Sequence, residues 1–396
     1  MLNPALLEEA KDLKIVYTAI HGTGGVHVPS ILKSLGFTFS TVPEQDVPDG
    51  RFPTVKSPNP ENAAALQMAM DLAEKERADI VIGTDPDCDR MGVAVRDSTG
   101  TMRLITGNQI GALMAWYRTK TMLEMGILNE TNRARATIVK TFVTTQLQDV
   151  VAAAYGVRYV NTLTGFKYIG GKLGKYERSL PADIRARYRD LTVEEARAAQ
   201  LKHGTFFIFG GEESYGYLGA DWIRDKDGNG AVVMFAELAA YAASRGLTVP
   251  DLLDEVFCEF GVFDEHTESP EFPGADGSTK IRKLVESYSA TPPVELDGSA
   301  VVKMIHYGKD DVIDEEGDIV PKENMLFLNL ADGRRFAVRP SGTEPKVKFY
   351  FFASHLPPAG GRLARAELPQ LKADLRAGIG RLWLEIQKDI ETRLAS

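Results

Sequence analysis

Gly83-Thr84-Asp85-Pro86-Asp87-Cys88-Asp89-Arg90 is the stretch on which the reading of this chain turns. The run Asp79-Ile80-Val81-Ile82 precedes it and Met91-Gly92-Val93-Ala94-Val95 follows. Both runs read as strands, which makes the acidic stretch a tight loop at a sheet edge. Alternate residues of an extended loop point the same way, so Asp85, Asp87 and Asp89 converge on one position. Carboxylates that close repel one another unless a cation lies between them. An all-oxygen donor set suits a hard divalent ion, and Mg²⁺ fits best because it takes few carboxylates and keeps positions for phosphate oxygen or water. The pattern is not a calcium-binding loop, because its sixth position is Arg90 where that loop needs glycine. Pro86 stiffens the turn, and Arg90 sets a guanidinium fork beside the acids, suited to gripping phosphate. A solvated acidic turn is the competing reading.

The 396 residues imply about two to four domains. Hydrophobic content of 44% and charged content of 26% belong to a globular chain with material for several cores. The net charge of −9 argues against a non-specific nucleic-acid partner. Cys88 and Cys258 are the only cysteines, so no disulfide framework is implied and a reducing compartment is expected. Cys88 reads as a small interior filler. No apolar run reaches membrane length and no signal-peptide core is visible, so the expectation is a cytoplasmic protein with no membrane partner.

In chain order, Lys14–Ala19 is a buried strand followed by His21-Gly22-Thr23-Gly24-Gly25 and an apolar helix over Val26–Leu35. Strand, glycine turn and helix open an α/β unit; the glycines either approach an anion or merely make the turn. Phe37–Val42 is a strand, Arg51–Pro60 a proline-stiffened segment and Glu61–Arg77 a helix. A hairpin about Ser98-Thr99-Gly100 and an amphipathic helix over Gly107–Lys120 complete the first domain, 1–130. A second α/β cycle over 131–256 has strands at Ala136–Thr141, Val157–Val160 and Thr205–Phe209, a helix over 144–155 and a helical excursion over 178–203. Residues 256–272 read as a junction. The last domain, 257–396, is α+β: a helix over 276–290, strands at Val301–Ile305, Met325–Leu330, Arg335–Val338 and Val347–Phe352, and a long helix over 366–394. The fold class is therefore α/β, two consecutive α/β domains with mixed sheets and an α+β C-terminal domain. The two α/β cycles suggest a structural repeat without marked sequence similarity.

Three more polar loops carry chemistry. In Thr162-Leu163-Thr164-Gly165-Phe166-Lys167, a lysine beside a glycine turn reaches a phosphate, or is a surface lysine at a helix start. Gly211-Glu212-Glu213-Ser214-Tyr215-Gly216-Tyr217 offers acids and a hydroxyl to a polyol, or caps a helix. Arg339-Pro340-Ser341-Gly342-Thr343-Glu344-Pro345-Lys346 gathers a guanidinium, hydroxyls, a lysine and glycine-exposed amides, a cradle for a dianion.

Taken together, in this order, the four loops resemble those of the α-D-phosphohexomutase family, of the bacterial phosphoglucomutase and phosphomannomutase type, from about Lys14 to the C-terminus. The resemblance implies a mutase that interconverts hexose 1-phosphate and hexose 6-phosphate through a bisphosphate intermediate. By motif, Asp85, Asp87 and Asp89 would bind Mg²⁺ and Arg90 would assist the transferring phosphoryl group. Glu212 and Ser214, with Thr164 and Gly165, would contact the sugar. Arg339, Ser341, Gly342 and Thr343 would hold the far phosphate. Lys226, in Arg224-Asp225-Lys226-Asp227-Gly228, and Lys167 are the candidates for acid–base work. The implied substrates are glucose 1-phosphate and glucose 6-phosphate.

One departure stands out. The family's nucleophile lies in a Thr-Ala-Ser-His-Asn-Pro loop of its first domain, and no such loop precedes Lys14. Ala353-Ser354-His355-Leu356-Pro357-Pro358 is a near match out of order and without asparagine, and reads as a decoy; Ser57 is weaker still. The expectation is domains two to four of a mutase, inactive alone, with the first domain missing or separately encoded. Alternatives are a non-catalytic phosphosugar-binding module, a phosphopentomutase or phosphomannomutase specificity, or a metal-dependent phosphatase using Asp85 as nucleophile.

Overall fold

Thr18, Thr84, Thr141 and Gly211 each end a buried strand of a sheet in the N-terminal half. The computed structural model describes residues 1–274, 276–341 and 345–395. They form two compact units, Met1–Glu255 and Val256–Ser396.

The first unit holds two sheets. Strands β1 (Lys14–Thr18), β2 (Thr38–Thr41), β3 (Ile80–Thr84), β4 (Met91–Arg96) and β5 (Met102–Ile105) line up as β2-β1-β3-β4-β5. β1 pairs in parallel with β2 and β3, whereas β3–β4 and β4–β5 are antiparallel. Strands β6 (Ala136–Thr141), β7 (Arg158–Thr162), β8 (Phe206–Gly211) and β9 (Tyr217–Leu218) line up as β7-β6-β8-β9, parallel except at β9. The order of β6 to β9 repeats that of β1 to β4, so the repeat is present in topology. β3 and β8 are buried along their whole length because helices cover both faces, which is why they read as continuous apolar runs.

Helix Ala63–Glu76 lays Ala65, Leu66, Ala69 and Ala73 toward the first sheet, where Val16, Val81 and Ala94 meet it. Helix Phe166–Arg178 does the same for the second with Phe166, Ile169 and Leu173 against Val139, Val160 and Phe207. Two expectations need correction. The acidic loop leaves β3, which is central in its sheet, so it lies at the strand end of an interior position and not at a sheet edge. Helix Gly107–Glu124 is not amphipathic: it is buried almost all round, because β8 and helices Leu147–Tyr155 and Gly228–Ser244 pack on it from several sides. A Thr106–Gln109 capping box fixes its start.

The second unit is an antiparallel sheet of β10 (Val262–Glu268), β11 (Glu295–Leu296), β12 (Ser299–His306), β13 (Leu326–Leu330), β14 (Arg335–Pro340) and β15 (Val347–His355), ordered β10-β15-β14-β13-β12-β11. Phe349 and Phe351 face helices Gly277–Ala290 and Leu368–Ala395, packing with Tyr288, Ile379, Leu382 and Ile386. Phe352 points the other way, where the Arg335 guanidinium lies 4.9 Å over its ring. The stretch read as a junction contains β10: its acidic and aromatic residues hide a strand whose partner, β15, is far away in sequence. No single helix among the described residues is long and apolar enough to cross a membrane.

Candidate active site

The loop between β3 and β4 brings Asp85, Asp87 and Asp89 together, each with a ligand oxygen within 4.8 Å of the others. The turn is held by its own backbone. Asp85 Oδ1 accepts from the amides of Asp89 at 3.0 Å and Arg90 at 2.9 Å, and Cys88 adopts φ 56°. Beneath it, Tyr17 and Thr84 share a hydroxyl hydrogen bond of 2.8 Å. Burial pushes the Asp85 carboxyl up to about 7, against the Arg90 amide, and the charges of Asp89 and Asp87 push the same way. Oxygen donors that crowd at the cost of one another's ionisation fit a hard divalent cation, and Mg²⁺ suits the set. Burial also pushes the Cys88 thiol up to about 11, as for an inert interior residue.

Arg90 leads into β4 and forms an isolated antiparallel bridge with Gly216, while the Met91 amide donates to the Tyr215 carbonyl at 3.0 Å. The acidic loop and the β8–β9 loop are thereby tied together. The Arg90 Nε is buried and makes no hydrogen bond among the described residues. Such a donor is costly unless something accepts from it, and a phosphate oxygen would.

Glu212 opens the β8–β9 loop. It is buried, and its Oε1 accepts from the Gly165 amide at 2.8 Å. Burial raises its pKa, while the Gly165 amide and the positive charges of Lys226 and Arg90 pull it down. Gly165 can offer that amide because it adopts φ 109°, open to glycine. Thr164 and Ser214 lie half-buried in the same two loops.

Lys226 is the cation the sequence left undecided. Its Nζ sits 2.8 Å from Asp89 Oδ2 and 3.2 Å from Asp225 Oδ1. Burial works against its charge, but Asp89 first and then Asp225 hold the ammonium above its ordinary range. A capped helix start places it: Asp227 Oδ1 accepts from the Gly230 amide at 2.9 Å, and the Gly228 amide donates to the Cys88 carbonyl at 3.0 Å. A Cβ at Gly228 would lie 2.5 Å from that carbonyl, so only glycine permits the approach. Lys167 instead is exposed in the first turn of helix Phe166–Arg178, with Nζ 4.9 Å over the Tyr168 ring.

Sequence reasoning missed what the glycines after β1 approach. Thr23 donates from its amide at 2.8 Å and its hydroxyl at 3.1 Å to the Pro86 carbonyl, so the His21–Gly25 turn buttresses the acidic loop. It also missed Cys88 as the docking point of the Lys226 turn. A signal for both existed in the runs of glycine, but not for the partner.

In the second unit, Arg339 is the last residue but one of β14 and its Nε donates to Glu323 Oε1 at 2.5 Å. Burial opposes its charge and the Glu323 hydrogen bond strengthens it. The Ser341 amide closes the turn on the Lys346 carbonyl at 2.9 Å. Gly342 and Thr343 lie outside the described residues. Ser354 is paired with Phe263 in the β15 ladder, so the near-match serine occupies a strand and not a loop.

The sequence profiles of "Phosphoglucomutase/phosphomannomutase, alpha/beta/alpha domain II", "alpha/beta/alpha domain III" and "C-terminal domain" match residues 5–100, 106–183 and 302–364, together more than half of the chain. The chain belongs to the phosphoglucomutase/phosphomannomutase family. Among its relatives, a phosphoglucomutase of Staphylococcus aureus is 34% identical over 346 residues, covering 86% of this chain and 56% of that protein. A phosphoglucomutase of Staphylococcus epidermidis is 35% identical over 345 residues, with 86% and 57% covered. The chain thus spans little more than half the length of these phosphoglucomutases. The fold resembles a phosphomannomutase-type protein of Thermus thermophilus, with TM-score 0.59, 17% identity, and 98% and 63% of the two chains covered. It also resembles a phosphoglucomutase/phosphomannomutase family protein of Burkholderia thailandensis, with TM-score 0.53, 18% identity, and 95% and 63% covered.

Proposed function

We propose that these residues supply the metal, sugar and phosphate contacts of a mutase interconverting hexose 1-phosphate and hexose 6-phosphate through a bisphosphate, with glucose phosphates as substrates. The observation that carries the reading is the junction of three convergent carboxylates with Lys226 and Arg90, beside the buried Glu212. On this reading residues 1–130 act as the metal-loop domain, 131–256 as the sugar-loop domain and 257–396 as the phosphate-loop domain.

Phosphoryl transfer asks a protein for positioning and charge neutralisation more than for covalent chemistry. Asp85, Asp87 and Asp89 would hold Mg²⁺, which when bound supplies positive charge beside the transferring group. Arg90 Nε donates to an equatorial phosphate oxygen. Glu212 and Ser214, with the Thr164–Gly165 turn, accept from and donate to sugar hydroxyls. Lys226 holds the proton at its Nζ that the accepting or leaving sugar oxygen exchanges, while Lys167 contributes charge at the rim. Arg339 and Ser341, with Gly342 and Thr343, bind the phosphate that is not being transferred, Glu323 yielding its place on the guanidinium. The phosphorylated serine lies outside residues 1–396.

The test is glucose 1-phosphate conversion with Mg²⁺ and a glucose bisphosphate primer, with and without an added family first domain carrying its serine loop. Conversion is expected only with that domain. Turnover by residues 1–396 alone would overturn the external serine. Phosphate release without isomerisation would favour a phosphatase.

A further inference from the structure

Away from the acidic loop, the first unit encloses a cavity of about 350 Å³, within the range of small-molecule sites. Its apolar wall is made of Met122, Phe206, Phe207 and Met234, all buried, and Trp222 is exposed at its mouth. Arg118, from the middle of helix Gly107–Glu124, also lines it and is only 8% exposed. Its Nε and Nη2 donate to the carbonyls of Ile208 at 3.0 Å and Gly219 at 2.6 Å. Its Nη1 makes no hydrogen bond, and no acid lies within ion-pair distance of the guanidinium, among the described residues.

The neighbouring acids are committed elsewhere. Glu237 accepts from the amides of Leu2 and Asn3 and from the Tyr117 hydroxyl. Asp221 accepts from the Tyr188 hydroxyl at 2.5 Å and the Gln200 amide at 3.1 Å. Arg197, half-buried on helix Val193–His203, lines the same cavity; burial lowers the Arg118 pKa, the charges of Glu237 and then Tyr117 oppose that, and the charge of Arg197 adds to it. It too has no acidic partner among the described residues. Glu194 lies exposed on the same helix. A guanidinium taken out of water with no ion-pair partner in contact is expensive, and here one such group and a second, half-buried one line the same hollow.

We propose that this cavity is a binding site for a small organic monoanion: an apolar ring or branched body seated on the Met122–Phe207 wall, its carboxylate-like head between Arg118 and Arg197. Its other wall includes Asp227 and Gly230, the capped turn that carries Lys226, so the site backs onto the acidic loop without sharing its donors.

Calorimetric titration of the chain with 1-naphthoate, and with the uncharged isostere 1-naphthamide, tests the assignment. Saturable one-to-one binding of naphthoate is expected, with the amide about tenfold weaker or more. Arg197→Ala, at a half-buried position, should weaken naphthoate about fivefold without changing the melting temperature. Ala196→Trp, which fills the cavity from the same helix, should abolish binding of both compounds. Arg118→Met serves as a further variant where it folds. Equal affinity for acid and amide, indifference to both Arg197→Ala and Ala196→Trp, or no saturable heat at millimolar concentration would each overturn the proposal.

Discussion

The Asp85–Arg90 loop and the Glu212–Gly216 loop hold the same station in two sheets of equivalent order, each following the third strand of its sheet in chain order and each turning back into an antiparallel fourth. Each also carries a non-glycine residue at positive φ, Cys88 at 56° and Tyr215 at 68°. Their chemistry differs. The first crowds carboxylates that cannot all ionise comfortably without a cation. The second buries one carboxylate and surrounds it with an amide and two positive charges. One topology therefore crowds three carboxylates in one loop and buries a single hydrogen-bonded carboxylate in the other, according to whether the negative charges sit together or alone. The strand ends where open α/β sheets bind ligands are the shared feature; composition does the rest.

Four experiments bear on that contrast. If the first loop is the cation seat, Asp87→Asn should lower Mg²⁺ affinity about 100-fold, measured by calorimetry, and cut turnover of the domain-supplemented enzyme about 1000-fold. Glu212→Gln should leave Mg²⁺ affinity alone; equal loss from both would erase the distinction. Next in size, Lys226→Ala should reduce kcat about 100-fold and flatten the alkaline limb of the pH profile, while Lys167→Ala should cost less than about threefold. The reverse ranking would move the acid–base role to the exposed lysine. Third, Glu212→Gln should raise KM for glucose 1-phosphate about tenfold with kcat held within about threefold, as for a group that binds substrate and transition state alike.

The smallest effect is on stability. The folded state raises the Asp85 carboxyl from 3.8 to about 7, so it retains a proton that the unfolded chain has already released. That contribution is fully present below the unfolded value of 3.8, falls as pH rises between the two values, and is gone once pH has passed through the folded value. In metal-free protein the loss is on the order of 1 kcal/mol between roughly pH 6 and 8, a fall of a few degrees in melting temperature. Saturating Mg²⁺, or Asp85→Asn, should remove the slope. A metal-free protein that melts at the same temperature across this range would mean the carboxylates do not couple as described.

Much of the site was legible because its parts are local. Three aspartates within five residues can meet in one short loop, here a tight turn closed by Asp85 Oδ1, and the strands around them announce themselves by unbroken apolar runs. The strand β10 was not legible: Val262–Glu268 carries acids because it is an edge strand, most of whose residues are only half-buried, and its partner in the sheet is the distant β15. The all-round burial of helix Gly107–Glu124 was hidden for a similar reason, since Asn108, Arg118 and Thr121 look like a polar face until their partners are known.

By itself the sequence determined the α/β and α+β fold class, most of the strands and helices, and which polar residue types each loop carries, because these follow from residue type and from periods of two and 3.6 residues. Tertiary structure alone decided that Lys226 and not Lys167 reaches Asp89, that the glycine turn after β1 braces Pro86, that Arg339 pairs with Glu323, and that Arg118 is buried beside a hollow. Each of those depends on which distant segment folds onto the residue, and the free energy that selects it belongs to the pair, not to either residue's neighbours in the chain.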